Sequence, residues 1–551
     1  MTPEWVMSVA PEIILFITTC VVMVVGLSGS AGVRSATPGI CGIGLTAAGV
    51  TAAFVRQDAA GLFPFLMPYA KGAVCFVGIM LLLLMQGVVD REEDDAVRAG
   101  RWAFDPSRTN KAEFYAFFLF SLTGVMLCAS ARDLVWLFLA LELTSLPTYV
   151  MVAISGRGRD GQHRSQEAGV KYFYLGALGA AIFLYGFAMI YGGTGHTRFD
   201  AIAGSIGENI NLITQLGLVL SVIGVSFKIA AVPMHFYTAD VYQGASSPVS
   251  AFLAFVPKTA GFLAIIHLAS LAGWRWLGTE SGATGVAGGE SLPSMLYLTL
   301  WAMAALTMTV GNILALLQNS AKRILAYSSI AHSGYMLVGI IAGPAPLFRD
   351  SGIAAVLFYL FCYGVMNIGA FAVLSSLERR DPKTGEPDEA DPLDDIRGVC
   401  KSRPWLGWTF VVSCLGLLGM PPILGFIAKV PLFTSGVRAG EIVLVVILGI
   451  NSAIAAAYYL RMMSAAMLSE PDAKRDRDLR TVNIETRHLA ASLSASFVLL
   501  FPIVGRSIMA FSERAGLMEE PAGSVAEEDT QGAQDGIAEA GEQPESVARG
   551  D

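Results

Sequence analysis

Residues 220–233 read LSVIGVSFKIAAVP, an apolar segment that contains one charged side chain, Lys228, and ends at Pro233. Such a segment can lie in a lipid bilayer, where an ionisable side chain is costly and indicates a functional site by default. The segments SAFLAFVPKTAGFLAII around Lys258 and GLLGMPPILGFIAKVPLF around Lys429 have the same character, and Glu142 lies in the apolar segment DLVWLFLALELTSLP. One acid and three bases, with few other polar residues around them, predict a route for protons rather than a water-filled pore.

The composition is that of a membrane protein. The 551 residues are 54% hydrophobic and only 15% charged, a balance typical of polytopic membrane proteins and not of soluble domains. Apolar windows of about 17 to 25 residues, the length that crosses a bilayer as a helix, occur about fourteen times along the chain. The sequence therefore predicts an all-α polytopic membrane protein with about fourteen transmembrane spans.

These windows divide the chain into five predicted segments: 1–110 with spans 1 to 3 and a cytoplasmic loop, 111–270 with spans 4 to 8, 292–468 with spans 9 to 13, 488–512 with span 14, and a tail over 513–551. The tail is rich in Glu, Ala and Gly and has no aromatic residue. Such a composition cannot bury enough apolar surface to fold, so the tail is predicted to be disordered and acidic.

Lys and Arg residues concentrate in the odd-numbered connections between the predicted spans. Cytoplasmic loops of membrane proteins carry this excess of positive charge. The asymmetry therefore predicts that both chain termini lie on the extracytoplasmic side of the membrane.

Prolines and glycines interrupt two of the predicted spans. Span 7 is interrupted at Pro233, and span 12 carries Gly419, Pro421 and Pro422 before Lys429. Proline removes a backbone donor and breaks a helix, and free backbone groups at membrane depth are tolerated only where protein or water satisfies them. Prolines also kink membrane helices routinely, which is the simpler interpretation.

Each broken span is the fourth in a set of five, spans 4 to 8 and spans 9 to 13. An odd number of helices per set places the two sets in opposite orientation across the membrane. The sequence therefore predicts two inverted five-helix repeats, each with a proline-broken helix, and this arrangement points to an ion site in transporters.

Several classes of function are excluded by what the sequence lacks. It has no GxGxxG motif after a strand, no GxxxxGK[ST] motif and no cysteine cluster suited to an iron–sulfur centre. The seven cysteines are scattered, so we expect no metal site, and the net charge of −8 argues against nucleic acid as a partner. The chain is expected to bind no cofactor of its own.

Three long strings carry a resemblance to a known family. They are FKIAAVPMHFYTADVYQGASSPVSAFLAFVPKTAGF from residue 227, AKRILAYSSIAHSGYMLVGI from residue 321 and SCLGLLGMPPILGFIAKVPLF from residue 413. They closely resemble the antiporter-like membrane subunits of bacterial complex I, the proton-pumping NADH:quinone oxidoreductase. The resemblance covers about residues 110–465. With a lysine after GMPP, the chain resembles the subunit N branch of that family.

The resemblance implies a role for each charged position. Glu142 corresponds to the glutamate that pairs with the lysine of broken span 7, here Lys228. Lys258 corresponds to the central relay lysine, and Lys429 to the terminal proton donor or acceptor. Burial disfavours the charged form of a lysine and a nearby carboxylate favours it, so movement of Glu142 would switch Lys228 between holding and releasing a proton. Hydroxyls and His332, a possible relay residue, are available on span 10: Ser328, Ser329, Ser333 and Tyr335.

The resemblance also implies the setting of the chain. It would be a subunit of a translocase in the bacterial cell membrane, in contact with lipid and with other membrane and peripheral subunits of complex I. FMN, iron–sulfur clusters and quinone would belong to those partner subunits, because this chain carries no redox motif.

Two other functions remain open at this stage. A stand-alone or multisubunit cation/proton antiporter would use the same fold and the same lysines without a redox partner. A structural spacer would use the buried charges only for helix packing. At single positions, a lysine near a helix end can extend to the headgroups, and His332 can be a hydrogen-bonded packing residue.

Overall fold

The computed structural model describes residues 7–55, 63, 65–103, 105, 109–206, 210–272, 274, 292–345, 350–380, 387–471, 479–482 and 484–516. Most of these residues are helical. The helices are, in chain order, α1 (Ala10–Gly26), α2 (Ala31–Ser35), α3 (Thr37–Ala52), α4 (Leu66–Met85), α5 (Arg91–Arg98), α6 (Lys111–Ala129), α7 (Leu134–Ala153), α8 (Gly158–Thr194), α9 (Phe199–Ile206), α10 (Leu212–Val225), α11 (Thr238–Gly244), α12 (Ser247–Leu271), α13 (Ser294–Leu316), α14 (Ala321–Ala342), α15 (Gly352–Ser375), α16 (Val399–Ser402), α17 (Pro404–Leu418), α18 (Leu424–Arg438), α19 (Ile442–Met467), α20 (Glu485–Val504) and α21 (Arg506–Ala515).

Within the described ranges, nine helices are long and apolar enough to cross a membrane: α4, α6, α7, α8, α12, α13, α14, α15 and α19. The helices α1, α10 and α17 are apolar but shorter. The apolar windows of α12 and α15 are buried along their whole length, so these two helices form the centre of the bundle. The prediction of a mainly helical, polytopic membrane protein is confirmed.

The helix ends differ from the predicted windows where polar residues continue a helix. The sixth window covers residues 172–192, whereas α8 has 37 residues and begins at Gly158. Its first turns are polar, and Arg164 in them pairs with Asp388, from a distant part of the chain, at 2.7 Å. Hydropathy detects only the apolar part of such a helix.

The chain is interrupted at both predicted breaks. The first break lies between α10 and α11, and the second separates α17 from α18. In the first break, the Tyr237 hydroxyl donates to the Phe227 carbonyl at 2.7 Å and the Val232 amide donates to the Thr307 hydroxyl at 2.9 Å. A tyrosine within the break and Thr307 of α13 therefore satisfy backbone groups that the break exposes, as the apolar interior requires.

A small antiparallel sheet adds to the helical fold at one end of the bundle. Its strands are β1 (Leu377–Arg380), β2 (Pro387–Glu389) and β3 (Leu479–Thr481), in the order β2-β1-β3. Glu378 lies opposite Glu389 on β2 and opposite Arg480 on β3. The hairpin of β1 and β2 lies at the end of the bundle where α12 and α14 begin, because Ser247 and Lys322 both contact Glu389.

The predicted disordered tail, residues 513–551, lies almost entirely outside the described residues. Of this range, the structure describes only residues 513–516, where α21 ends at Ala515.

Candidate functional site

The first part of the site is an ion pair between α7 and the break after α10. The Lys228 ammonium lies 3.1 Å from a carboxylate oxygen of Glu142 and donates to the hydroxyl of Ser145. Glu142 and Ser145 are three residues apart on α7 and therefore share one face of that helix. The Lys228 side chain is only 1% exposed, and the rings of Phe183 and Phe227 each lie 5.8 Å from its nitrogen.

The backbone places Lys228 at the carboxyl end of a half-helix. The break begins directly after α10, and Ala230 in the break has a φ of 56°, in the left-handed region. Such a conformation is costly for a residue with a side chain and occurs mainly at functional sites. The negative end of the α10 dipole favours a cation at this position.

The second part of the site is Lys258 in the middle of α12. Its ammonium donates to the backbone carbonyl of Ser329 and to the hydroxyl of Ser333, the latter at 2.7 Å. The Tyr363 ring lies 5.4 Å from the same nitrogen. Within the described part of the chain, the structure gives Lys258 no salt bridge, so oxygen dipoles and an aromatic face surround this buried ammonium.

One hydroxyl joins the two lysine sites. Ser333 accepts from Lys258 and donates to the carbonyl of Ile229 at 2.5 Å, and Ile229 is the residue that follows Lys228. Gly261 on α12 allows the close approach: a Cβ there would lie 2.6 Å from the Ile229 side chain and 3.0 Å from the Lys228 Cβ. The two sites are therefore packed directly against each other.

His332 lies on α14, directly before Ser333 in the sequence. Its Nδ1 is 2.6 Å from the Tyr359 hydroxyl and its Nε2 is 3.3 Å from the Tyr459 hydroxyl. Its ring centroid lies 4.9 Å from that of Tyr363, the tyrosine beside Lys258, with the two rings tilted by 38°, and 5.4 Å from that of Tyr335. Aromatic rings and hydroxyls therefore surround a fully buried imidazole.

The last member is Lys429 in the second half of the other broken helix. Its ammonium lies 5.4 Å from the Tyr335 ring and donates at 2.7 Å to the carbonyl of Leu418, the last residue of α17. A half-helix carboxyl end again faces the cation. Gly419 has a φ of 82°, and a Cβ there would come within 3.1 Å of the lysine nitrogen, so only glycine suits this turn.

The five predicted site residues thus lie in one row, in the order Glu142, Lys228, Lys258, His332 and Lys429. The four basic residues are buried and the Glu142 side chain is 17% exposed; we call this set the buried row. The hydroxyls of Ser328 and Tyr335 lie beside it: Ser328 bonds to Tyr459, and the Tyr335 hydroxyl accepts from the Asn312 amide at 2.9 Å. The two interrupted elements supply Lys228 and Lys429, whereas Glu142 lies on the continuous helix α7.

Sequence reasoning missed Ser145, Tyr359, Tyr363 and Tyr459. Ser145 could have been found from its spacing of three from Glu142, which puts both residues on one helix face. Tyrosines in an apolar helix are more often packing residues, so nothing in the sequence marks these as neighbours of His332.

A second buried ion pair lies at the end of the bundle where α12 and α14 begin. Lys322, at the start of α14, lies 2.6 Å from Glu389 on β2, and the two side chains are 6% and 7% exposed. The Ser247 amide and hydroxyl donate to the same carboxylate at 2.8 and 2.7 Å. Although burial raises the pKa of Glu389, the charges of Lys322 and Arg157 outweigh it and lower that pKa to about 2.

The described part of the chain brings together no three His, Cys, Asp or Glu side chains that are suited to hold a metal ion. The buried row instead consists of ammonium groups, one carboxylate, one imidazole and hydroxyls. These groups can hold and pass protons. The helical fold and this row define a polytopic membrane protein of the antiporter-like class.

Comparison with known proteins gives the particular family. The model of a family described as "NADH:quinone oxidoreductase/Mrp antiporter, TM" matches residues 131–280 and 287–455. The NADH-quinone oxidoreductase subunit N of Trichlorobacter lovleyi is 40% identical over 415 residues, which are 74% of this chain and 77% of that protein. The chain therefore belongs to the antiporter-like membrane family of NADH:quinone oxidoreductases, in its subunit N branch, which confirms the predicted resemblance.

Solved structures agree with this assignment. A chain of respiratory complex I from Thermus thermophilus is 28% identical, with a TM-score of 0.70 that covers 91% of this chain and 98% of that chain. A chain of the Mrp complex from Dietzia is 18% identical, with a TM-score of 0.69 over 94% of this chain and 97% of that chain. At that identity the Mrp chain shares the fold, which alone does not establish a shared function.

Proposed function

We propose that this chain is a proton-translocating membrane subunit of an NADH:quinone oxidoreductase, and that the buried row from Glu142 to Lys429 is its proton relay. The observation that supports this most directly is the contact between the first two lysine sites: the Ser333 hydroxyl lies between Lys258 and the carbonyl next to Lys228. Isolated packing charges would not require a hydroxyl shared between them.

The proposed relay begins with the ion pair. While Glu142 lies 3.1 Å from Lys228, the carboxylate stabilises the ammonium; when the carboxylate moves away, desolvation favours the neutral amine, and Lys228 releases its proton. The Ser333 hydroxyl donates to the Ile229 carbonyl and accepts from Lys258, so water carries the released proton from the Lys228 amine to this hydroxyl, and Lys258 takes it up as the neutral amine. Lys258 then passes charge through His332, and water completes the path to Lys429.

The geometry at Lys429 suits a terminal exchange site. Its ammonium bonds to the carbonyl end of α17 and has the Tyr335 ring beside it. Both interactions favour the cation without fixing it by a full negative charge, so the proton is held reversibly. The same argument applies to Lys258, whose bonds are to a carbonyl and a hydroxyl.

The finer architecture forms part of the proposal. The two broken helices are consistent with fourteen membrane crossings and with two inverted repeats over spans 4 to 8 and 9 to 13. The loop charges are consistent with both termini on the extracytoplasmic side of a bacterial cell membrane. The hairpin of β1 and β2 would then lie on the cytoplasmic side. FMN, iron–sulfur clusters and quinone would be carried by partner subunits of the complex, and this chain would hold no redox centre.

The test is Lys258→Ala in the assembled complex, with the proton-to-electron ratio measured in membrane vesicles during NADH oxidation. We expect the complex to assemble on a native gel and the ratio to fall. An unchanged ratio in intact complex would show that Lys258 is not a relay residue. Lys171→Ala is the matched control, because Lys171 is 46% exposed and pairs with Glu167 on the same helix; its ratio should equal that of the wild type.

A cation/proton antiporter is the second candidate, favoured by the shared fold with a chain of the Mrp complex. It would use the same buried lysines but need no electron-transfer partner. The subunit N relatives of this chain favour the oxidoreductase function, so the antiporter function is the weaker candidate.

A further inference from the structure

A third buried ion pair lies in the amino-terminal helices, outside the residues that the family model matches. Lys71 on α4 lies 2.8 Å from one carboxylate oxygen of Glu12 on α1, and the two side chains are 0% and 5% exposed. Burying an ion pair costs desolvation, and such a pair stabilises a protein no better than apolar residues of the same size. A purely structural contact between α1 and α4 would therefore not require it.

The pair lies directly beside a cavity. Lys71 also donates to the backbone carbonyl of Ser8, and the Ser130 hydroxyl donates to Glu12 at 3.2 Å. Ser8 and Ser130 both line a cavity of about 250 Å³, whose wall also contains Arg132, Asp133 and Arg198. The apolar side chains of Val9, Met67 and Trp136 complete the wall. A water molecule takes about 30 Å³ in the liquid, so a space of this size with these polar groups on its wall holds several. Each member of the pair is thus one contact away from the cavity.

Helix α6 connects this pair to the proposed relay. Ser130, which follows its last turn, bonds to Glu12. Earlier on the same helix, the Ser121 hydroxyl donates to the Thr144 carbonyl of α7 at 2.6 Å, and a Cβ at Gly124 would lie 2.5 Å from the Thr144 hydroxyl. Thr144 lies between Glu142 and Ser145 in sequence. Helix α6 therefore packs against α7 beside the Glu142–Lys228 pair and leads to Ser130 beside the Glu12–Lys71 pair.

We propose that the Glu12–Lys71 pair is a proton-exchange site between water in this cavity and the Glu142–Lys228 pair, at the end of the bundle where α1, α4 and α7 begin. The inference rests on the proposed function, and under the proposed sidedness this end is extracytoplasmic. In one exchange, the Lys71 ammonium releases a proton to cavity water, and the amine then recovers one that arrives through Glu12 from the relay. The pair returns to its starting charge, and the step runs in either direction.

The decisive variant is the double substitution Glu12→Gln with Lys71→Met in the complete complex. A single substitution leaves one buried charge without its partner and disrupts folding, whereas removing both charges leaves a neutral pair of similar shape. We expect the double variant to assemble and to oxidise NADH, but its proton-to-electron ratio should fall to the value that Lys258→Ala gives. The surface pair Glu167→Gln with Lys171→Met is the matched control and should keep the wild-type ratio.

The outcomes separate the two proposals. If Lys258→Ala lowers the ratio and the double variant keeps it at the wild-type value, the exchange site is wrong while the relay stands. If both keep the wild-type ratio, both proposals are wrong. Should the double variant fail to assemble, Glu12→Asp retains the ion pair but moves the carboxylate by one methylene; we expect a displaced pH profile of pumping, and a profile equal to that of the wild type would overturn the exchange site.

Discussion

At the scale of single residues, Ser333 offers a direct test of contact between the lysine sites. Ser333→Ala removes the hydroxyl between Lys258 and the Ile229 carbonyl, while Lys258 keeps its bond to the Ser329 carbonyl. The ammonium is then not left without a partner, so assembly should be unaffected. A barrier to proton transfer that is higher by about 1 kcal/mol without the hydroxyl gives about fivefold slower proton pumping, measured as the initial rate of vesicle acidification per complex.

Ser375→Ala is the control for that experiment. Ser375 is buried on the neighbouring helix α15, but its hydroxyl bonds only to the carbonyl of Ala372 within its own helix. Its pumping rate should equal that of the wild type. If Ser333→Ala pumps as fast as Ser375→Ala, the hydroxyl does not carry protons between the two sites.

The charged members of the row could be predicted from sequence because a lysine or glutamate in an apolar segment is conspicuous. Lys228, Lys258 and Glu142 are of this kind. The tyrosines around His332 could not be predicted, since their neighbours come from α15 and α19, far away in sequence. The Glu12–Lys71 pair was missed for another reason: both residues lie near helix ends, where a charge is usually solvated.

At the scale of elements, the hairpin of β1 and β2 depends on one carboxylate. Glu389→Gln leaves Lys322 buried without its counter-charge, and breaking such a pair costs about 3 to 5 kcal/mol. We expect a lower thermal unfolding midpoint of the detergent-solubilised complex. Asp388→Asn is the control on the same strand, because Asp388 and Arg164 are 44% and 52% exposed and such pairs contribute at most about 1 kcal/mol.

The pH dependence of that comparison follows from the lowered pKa of Glu389, about 2 in the folded protein against an ordinary value of 4.5. A carboxyl group with a lowered pKa contributes its stability above the unfolded value and loses it as the pH falls through the folded value. The difference in midpoint between wild type and Glu389→Gln should therefore be constant from about pH 5.5 to 8. A difference that disappears within this range would contradict the assigned charge of Glu389.

Elements were predictable to different degrees. Pro233 and Pro422 predicted that two spans are interrupted, but α10 already ends at Val225, eight residues before Pro233, so the start of that break could not be predicted from the proline. The sheet could not be predicted, because β3 is separated from β1 by about a hundred residues and its three residues carry no alternating pattern. The early start of α8 was missed because its first turns are polar and are held by contacts with residues from distant parts of the chain.

At the scale of the whole molecule, the fold alone does not separate the two candidate functions, since chains of respiratory complex I and of the Mrp complex match it with similar TM-scores of 0.70 and 0.69. What separates them is the source of energy. In the proposed relay, the buried lysines move protons when Glu142 is displaced from Lys228, and electron transfer in partner subunits causes that displacement. An antiporter would use a cation gradient for the same purpose.

The candidates therefore predict different companions for the chain. Under the proposed function, a tagged copy expressed in its own cells should co-purify from mild detergent with flavin and iron–sulfur absorbance and with NADH oxidation activity. The purified chain alone in liposomes should not exchange sodium or potassium for protons, because no redox partner is present. A chain that purifies without flavin and iron, yet catalyses cation/proton exchange in liposomes, would be an antiporter. Lys258→Ala serves as the control in both assays. If this variant loses cation/proton exchange in liposomes, the relay belongs to an antiporter. If it co-purifies with flavin and has a lowered proton-to-electron ratio, the relay belongs to the oxidoreductase.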